Sequence, residues 1–211
     1  MKIAIIGANG KAGSLLVKEA LDRGHEVTAV VRDSSKIADT QVKILEKDLF
    51  DLTYDDLKEN DVIIDAFAVW AEDHLYQHKT SLAHLSDILA EKPVRLLVVG
   101  GAGSLYVDPE HKLRLMDTPD FPDMFKPLAS NMGEAFDTLR TRKDVNWTYL
   151  SPSADFSAEG GRTGKYKAGG EELMTNSKGL STISYADYAI AMLDEAELPK
   201  HLQERFTVVS E

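Results

Sequence analysis

Short apolar runs alternate with helix-like patterns along the first hundred residues. Strands are predicted at five apolar runs: Lys2–Ile6, Glu26–Val31, Gln41–Leu45, Asp61–Phe67 and Val94–Val99. Between them, apolar residues recur at three- and four-residue intervals, the spacing of a helix with one buried face. The first such helix shows it most clearly: Ala12, Leu15, Leu16, Ala20, Leu21. This alternation predicts an α/β fold, a doubly wound parallel sheet with helices on both faces.

The regular alternation stops after residue 100. Residues 100–126 form a predicted long loop with three prolines, and residues 152–183 are rich in glycine and polar side chains. The remaining elements predicted are a helix at 127–142, a strand at Trp147–Leu150, a helix starting at Ser184 and a strand at Arg205–Val209. Capping boxes are predicted at Thr53-x-x-Asp56 and Ser184-x-x-Asp187. We therefore expect a single domain over 1–211, with a small C-terminal lobe built mainly from 100–126 and 152–183.

Composition narrows the classes of function. The chain has 211 residues, no cysteine and a formal net charge of −11, which excludes disulfides and opposes binding to nucleic acid. No metal site is predicted, because His78 and His84 lack carboxylates at ligand spacing. Neither a signal peptide nor an apolar run of about 18 residues is visible. We expect a cytoplasmic protein with no membrane partner, and the sequence makes no prediction of its oligomeric state.

A glycine-rich turn joins the first strand to the first helix. The segment "GANGKAG" contains Gly7, Ala8, Asn9, Gly10, Lys11, Ala12 and Gly13. Gly7 suits a tight turn, Gly10 leaves the backbone open to a ligand, and Gly13 allows the helix to lie close to the sheet. The unpaired N–H groups at the helix start favour an anion. The segment therefore predicts a dinucleotide pyrophosphate site, with a turn that binds nothing as the alternative.

The end of the second strand indicates which dinucleotide binds. An acidic residue there is typical of NAD sites, but this chain has Arg32 followed by Asp33. Arg32 can form a bidentate contact with a 2′-phosphate. We therefore predict that NADP(H) is favoured over NAD(H). The alternative is that Asp33 contacts the ribose and Arg32 is a solvated surface charge.

With these motifs assembled, the chain resembles the short-chain dehydrogenase/reductase superfamily in its atypical branch. The segments "GANGKAG", "KDLFD" and "VVGGAGSL" carry the resemblance, and "RTGKYKAGGEELMTNSKGLSTISYADYAIAMLDE" is similar to the NADH-flavin reductase-like subfamily, near the NmrA-like and flavin/biliverdin reductase groups. The resemblance implies a Rossmann-like fold. It also implies further cofactor contacts: Asp48 and Leu49 at the adenine, Ala66, Phe67 and Ala68 at the adenosine ribose, and Gly100, Gly101, Ser104, Pro152 and Ser153 near the nicotinamide. For Asp48, a role as a turn or helix cap is the alternative.

One departure from that superfamily affects the predicted reaction. Its usual Tyr-x-x-x-Lys pair is absent from the helix after the fifth strand, and Tyr54 with Lys58 matches the spacing only by coincidence. Alcohol–ketone chemistry then lacks its proton donor. A flavin or quinone-like aromatic acceptor needs only direct hydride transfer. We predict an NAD(P)H-dependent reductase of such an acceptor, with a non-catalytic NADP(H)-binding sensor as the alternative.

Individual residues near the predicted acceptor keep two interpretations. Ser104 is the candidate catalytic hydroxyl, hydrogen bonding to the nicotinamide amide or the acceptor, or else it is an ordinary loop hydroxyl. Four residues of the long loop could cover an acceptor ring or pack the loop onto the domain: Tyr106, His111, Phe121, Phe125. Trp70 and Tyr166 are further candidates for the border of the pocket.

Overall fold

A computed structural model describes residues 1–37 and 41–211. Its strands are β1 (Lys2–Ile6), β2 (Glu26–Val31), β3 (Lys43–Glu46), β4 (Val62–Asp65), β5 (Arg95–Val99), β6 (Asn146–Ser151), β7 (Asp155–Ser157), β8 (Tyr166–Gly169), β9 (Thr182–Ser184) and β10 (Glu204–Ser210). Its α-helices are α1 (Lys11–Asp22), α2 (Tyr54–Leu57), α3 (Gln77–Ile88), α4 (Lys126–Leu139) and α5 (Tyr185–Glu197).

The main sheet has the order β3-β2-β1-β4-β5-β6-β10-β8, and β7 pairs with β9 in a small second sheet. Every neighbouring pair from β3 to β10 is parallel, and only the edge strand β8 runs antiparallel to β10. The strand order reverses at β1, because β2 and β3 lie on one side of it and β4 onward on the other. The predicted doubly wound, Rossmann-like fold is therefore confirmed, and the carboxyl ends of β1 and β4 meet at the switch point where ligands bind such sheets.

Each face of the sheet has its own apolar core. Helices α1 and α5 cover one face, where Leu16 and Leu193 are fully buried. Helices α3 and α4 cover the other face with Leu85 and Phe136. The strands supply side chains to both cores, which explains why they have continuous apolar runs rather than alternation. In the described ranges, no helix is both long and apolar enough to cross a bilayer.

Several predicted boundaries shift. β4 ends at Asp65, two residues earlier than predicted, because the Asp65 side chain accepts a hydrogen bond from the Phe67 N–H at 3.0 Å and turns the chain. α4 ends at Leu139 rather than at residue 142. The segment 100–126 is not structureless: it contains two short 3-10 turns, and Tyr106 forms bridges with both Arg114 and Glu172.

The two predicted capping boxes have different outcomes. At Thr53, the backbone N–H and the hydroxyl both donate to the Asp56 carboxylate, at 2.7 and 2.8 Å. At Ser184, the hydroxyl accepts from the Asp187 N–H at 3.0 Å, so the N-cap is confirmed. The other hydrogen bond predicted for this capping box, from the Ser184 N–H to the Asp187 carboxylate, is wrong. The fully buried Asp187 carboxylate instead accepts from the Thr163 N–H, the Thr163 hydroxyl and the Gly164 N–H.

Candidate functional site

The turn between β1 and α1 is held by close backbone contacts. Gly7 has φ +73°, and a Cβ atom there would lie 2.7 Å from the Ala66 carbonyl oxygen. The Gly10 N–H donates to the Gly7 carbonyl at 2.9 Å, which closes the turn. Both the conformation and the space around Gly7 therefore require glycine.

Gly13 allows a close approach of α1 to the backbone that follows β1. A Cβ atom at this position would lie 2.1 Å from the Gly7 carbonyl oxygen and 3.0 Å from the Ala8 Cα. Any side chain at residue 13 would therefore push α1 away from the turn. Because α1 begins at Lys11 with Gly10 as N-cap, its first N–H groups have no partner within the helix and lie at the carboxyl end of β1. Of the turn's other predicted contacts, Asn9 and Lys11 are exposed, Ala12 is half-buried and Ala8 is buried.

At the end of β2, the two charged residues have different surroundings. Asp33 caps a 3-10 turn: its carboxylate accepts from the Ser35 N–H at 3.1 Å and from the Ser35 hydroxyl at 2.5 Å, and it pairs with Lys36 at 3.5 Å. These bonds lower the pKa of Asp33. Arg32 is exposed and forms no ion pair with any residue of the described ranges. The arginine is therefore the freer of the two to contact a ligand.

The ends of β3 and β4 supply the next predicted contacts. Asp48 caps a 3-10 turn by accepting from the Phe50 N–H at 2.9 Å, which agrees with the alternative role given for it. Leu49 is buried beside it. Ala66 is 9% exposed and lies against the glycine turn, while Phe67 is half-buried and Ala68 is exposed. These residues therefore line the same carboxyl edge as the glycine turn.

After β5, the chain packs tightly on side chains from the sheet and α4. A Cβ atom at Gly100 would lie 2.2 Å from the Tyr149 ring, and one at Gly101 would lie 3.2 Å from the Met132 sulfur. The Gly101 N–H donates to the Tyr149 hydroxyl at 3.2 Å. Burial raises the pKa of Tyr149 to about 12. The two glycines therefore bring the backbone onto a buried phenol that sequence reasoning did not single out.

Ser104 is drawn inward by a buried arginine. Ser104 is 4% exposed, and its hydroxyl accepts a hydrogen bond from the Arg205 guanidinium at 2.9 Å. The other end of the Arg205 guanidinium donates to the Glu171 carboxylate, and the guanidinium lies 4.6 Å from the Phe136 ring centroid. Arg205 thus joins Ser104, in the segment after β5, to Glu171, which follows β8. Sequence reasoning placed Arg205 only as the first residue of the last strand, and a charge at the start of the run "RFTVV" was the available signal.

The segment after β6 is anchored in the sheet. Pro152 and Ser153 are buried, and the Ser153 hydroxyl donates to the Val208 carbonyl at 2.7 Å. Further along, Arg162 contacts the buried Glu19 of α1 at 3.0 Å. With the three bonds to Asp187, this contact fixes the "RTG" segment against α1 and α5. The stretch that resembles the NADH-flavin reductase-like subfamily therefore begins, at 162–164, with residues that attach this part of the chain to α1 and α5.

Other residues considered in the sequence have structural contacts. Lys58 pairs with Asp55 at 3.0 Å, and the Tyr54 ring faces Lys92 at 4.9 Å, so Tyr54 and Lys58 do not form a catalytic pair. His84 contacts the Leu52 carbonyl at 3.0 Å. Within the part of the chain that the structure describes, no group of three histidine, aspartate or glutamate residues could hold a metal ion.

The aromatic candidates differ in how far they are buried and in what they contact. Tyr106 stacks on His111 with ring centroids 4.6 Å apart, and Tyr166 donates to Asp194 at 2.6 Å, so these residues pack the loop and the lobe. Trp70 and Phe125 are 68% and 42% exposed. Phe121 is half-buried.

The fold and the glycine turn define an α/β protein with a dinucleotide-type turn at its switch point. The family model for NAD(P)H-binding proteins matches residues 7–196, and the chain belongs to that family. YwnB of Bacillus subtilis (strain 168), an uncharacterized protein, is 53% identical over 212 residues, which cover 100% of this chain and 99% of YwnB.

Solved structures show the same likeness. SP1627 from Streptococcus pneumoniae TIGR4, named a "putative NADH-flavin reductase", is 48% identical with a TM-score of 0.96, and 100% of each chain is covered. A "putative epimerase" from Bacteroides thetaiotaomicron is 40% identical with a TM-score of 0.88, covering 99% of this chain and 96% of its own. The two names differ in reaction, so the likeness establishes the fold and the family but not the chemistry.

Proposed function

We propose that this protein is an NAD(P)H-dependent reductase that passes hydride directly to a flavin or a quinone-like aromatic acceptor. The observation that carries the proposal is the glycine turn. Because Gly7 and Gly13 have no Cβ atom, the backbone between β1 and α1 can pack closely at the start of α1. Absence of a tyrosine from α4 supports an acceptor that needs no tuned phenol.

The residues present fit a bound dinucleotide. Gly10 is exposed at the N-cap, and no side chain separates a ligand from the first N–H groups of α1. Such groups and the helix dipole favour a pyrophosphate. Asn9, Lys11 and Ala12 border this position, and we assign the adenosine side to Leu49, Ala66, Phe67 and Ala68. When bound, the dihydronicotinamide supplies the hydride.

Arg32 is the basis for the proposed preference for NADP(H). Because Asp33 is engaged by Ser35 and Lys36, it is poorly placed to accept from ribose hydroxyls as well. Arg32 has no such engagement with any residue of 1–37 or 41–211, and it offers a planar, permanently charged fork that matches a phosphate. The relative named for NADH does not decide this point for this chain.

The acceptor side is assigned to the lobe formed by 100–126 and 152–183, with Gly100, Gly101, Ser104, Pro152 and Ser153 nearest the nicotinamide. Ser104 accepts from Arg205, so its own O–H remains available to donate. The exposed rings of Trp70 and Phe125 are available to stack on a planar acceptor. The chain's main contribution is then orientation and exclusion of water, which accelerate hydride transfer through proximity.

Cofactor choice is tested by calorimetric titration of NADPH and NADH. Arg32→Ala should weaken NADPH binding about 10- to 100-fold, as expected for loss of about 1–3 kcal/mol of charge-assisted contacts, and should leave NADH unchanged. Lys18→Ala is the matched control, because it removes one positive charge from an exposed position on α1. Equal losses of affinity for NADPH and NADH would contradict the proposal that Arg32 contacts the 2′-phosphate.

Turnover is tested by steady-state oxidation of NADPH with FMN and with a soluble benzoquinone. We expect saturable turnover well above the rate without protein for at least one of the two. Tight NADPH binding with no turnover for either acceptor would instead support the sensor function. Failure to bind either dinucleotide at millimolar concentration would overturn both.

A further inference from the structure

A small cavity lined by both polar and apolar side chains lies on the α3 and α4 face of the sheet, at the carboxyl ends of β4 and β5. Its enclosed space is about 20 Å³, room for about one water molecule, and its lining includes Asp65, Phe67, His78, Met132 and Tyr149. Burying an aspartate, a histidine and a tyrosine together is costly unless they are paired. The hydride-transfer proposal above uses none of the three.

The register of the sheet places this cavity beneath the proposed nicotinamide side. Asp65 is opposite Val98, Val98 is opposite Tyr149, and Tyr149 is opposite Arg205, so these residues form one row across four neighbouring strands. Two members of the row hold the segment above them, since Tyr149 accepts from the Gly101 N–H and Arg205 donates to Ser104. Asp65 lies next to the glycine turn, because Ala66 follows it directly in the chain and lies against Gly7.

Asp65 is buried without a charged partner. The residue is 5% exposed, and its carboxylate accepts a hydrogen bond from the Phe67 N–H at 3.0 Å. It forms no ion pair with any residue in 1–37 or 41–211. Burial therefore raises the pKa of Asp65 to about 6, well above the usual value of a carboxyl group.

The neighbouring elements supply no positive charge to this carboxyl group. On α3, His78 contacts the Val69 carbonyl at 3.0 Å through Nε2, and burial lowers its pKa, so it is neutral at neutral pH. Ser81, also on α3, is uncharged. On β6, the raised pKa of Tyr149 keeps the phenol neutral.

The remaining elements behave in the same way. β5 and α4 present only apolar side chains to the cavity. The acids of α4 near it have their own partners, since Glu134 pairs with Lys79 and Asp137 with Arg114. Arg205 on β10 is paired with Glu171. Asp65 is thus a cavity-lining carboxyl group that has no charged partner among the described residues and changes charge close to neutral pH.

We propose that Asp65 supplies the proton that accompanies hydride transfer to the acceptor, a role that rests on the reductase function proposed above. The Asp65 carboxyl group gives up its proton, and the acceptor gains that proton together with the hydride from the dihydronicotinamide. The acceptor is thereby reduced by two electrons, the nicotinamide is oxidised, and Asp65 is left as a carboxylate. Water at the open side of the cavity returns the proton, so each turnover consumes one NAD(P)H, one proton and one acceptor molecule.

The first test is the pH dependence of kcat with a soluble benzoquinone, which needs two hydrogens. The wild-type kcat should fall as the pH rises above about 6, because the carboxyl group loses its proton. Asp65→Asn keeps an oxygen for the Phe67 N–H but carries no transferable proton. It should lower kcat about tenfold at pH 5.5 and remove the falling limb, while KM for NADPH changes less than twofold.

The second test does not depend on turnover. Binding of an anionic dinucleotide next to a partly ionised carboxylate should drive proton uptake, measured at pH 6.5 by calorimetry in two buffers of different ionisation enthalpy. Wild-type protein should take up a fraction of a proton with NADPH, and Asp65→Asn should take up none. Asp61→Asn is the matched control at the other end of β4, where the carboxylate accepts from the Lys2 N–H at 2.8 Å, and it should behave as wild type.

The outcomes separate this inference from the proposed function. If wild-type protein turns over and the Asp65→Asn profile overlays it, Asp65 has no role in proton supply although the reductase function stands. Equal proton uptake by wild type and Asp65→Asn would contradict the inference as well. If wild-type protein reduces no acceptor, the reductase function fails and proton supply by Asp65 fails with it.

Discussion

The carboxyl edge of the sheet has two halves, one formed mainly by backbone atoms and the other mainly by buried side chains. The nucleotide half, comprising the ends of β1 to β4, is made mainly of backbone, with Gly7 and Gly13 required by contacts closer than 3 Å. The acceptor half, where we propose that the acceptor binds, comprises the segments after β5 and β6 with β10 and contains buried side chains such as Tyr149 and Arg205. Backbone sites depend on a few glycines, whereas side-chain sites depend on paired charges from distant parts of the chain.

The largest expected effect concerns the acceptor half. Arg205→Met should lower the free energy of unfolding by about 3 kcal/mol, because the buried guanidinium's hydrogen bonds to Glu171 and Ser104 are both lost. Chemical denaturation with an NADPH titration measures both consequences. The substitution should loosen the segment around Ser104, yet NADPH affinity should change less than tenfold, because the glycine turn is untouched.

Arg140→Met provides the control for Arg205. Arg140 is 41% exposed in its side chain and lies 3.8 Å from the same Glu171 carboxylate. Exposed pairs contribute little, so a loss below about 1 kcal/mol is expected. Equal destabilisation by the two substitutions would show that burial of Arg205 does not make its pairing with Glu171 more important.

The next effect concerns the nucleotide half. Gly13→Ala would place a methyl group 2.1 Å from the Gly7 carbonyl oxygen, so the turn or α1 must shift. We expect a loss of about 3 kcal/mol in stability, at the upper end for overpacking, and a fall of about 100-fold or more in NADPH affinity. Gly161→Ala is the control, since no atom lies within 4 Å of its added Cβ. Unchanged NADPH affinity in Gly13→Ala would show that the turn does not bind the dinucleotide.

This contrast also explains what the sequence could predict. Strand–helix alternation and the spacing of Gly7, Gly10 and Gly13 are local patterns, so the fold and the glycine turn were predictable. The contacts of Arg205 with Ser104 and Glu171 join residues 101 and 34 positions apart. No local pattern encodes such pairing. The same limit applies to Asp187, whose carboxylate was assigned to its own helix start but bonds to Thr163, 24 residues away.

The smallest effect tests the boundary between the halves, where Asp65 lies. Its pKa is raised from 3.8 to about 6, so the native state binds more protons than the unfolded state between these values. The free energy of unfolding therefore falls as the pH rises through this window, by at most about 3 kcal/mol. Water at the open side of the cavity solvates the carboxylate, so we expect a fall of about 2 kcal/mol. Asp65→Asn removes this dependence. Relative to wild type, it should gain about 2 kcal/mol of stability between pH 4 and pH 8, measured by urea denaturation.

Asp56, at the start of α2, gives the opposite sign. Hydrogen bonds from Lys47 and Thr53 lower its pKa to about 2, so its contribution is present at neutral pH and is lost as the pH falls from about 4 toward 2. Asp56→Asn should therefore destabilise the protein at pH 7 and have little effect at pH 2, while Asp65→Asn should stabilise it at pH 8. If both variants showed the same sign at neutral pH, the Asp65 carboxyl would have a charged partner. Asp65, at the end of β4, would then not be the group that titrates at the boundary between the two halves.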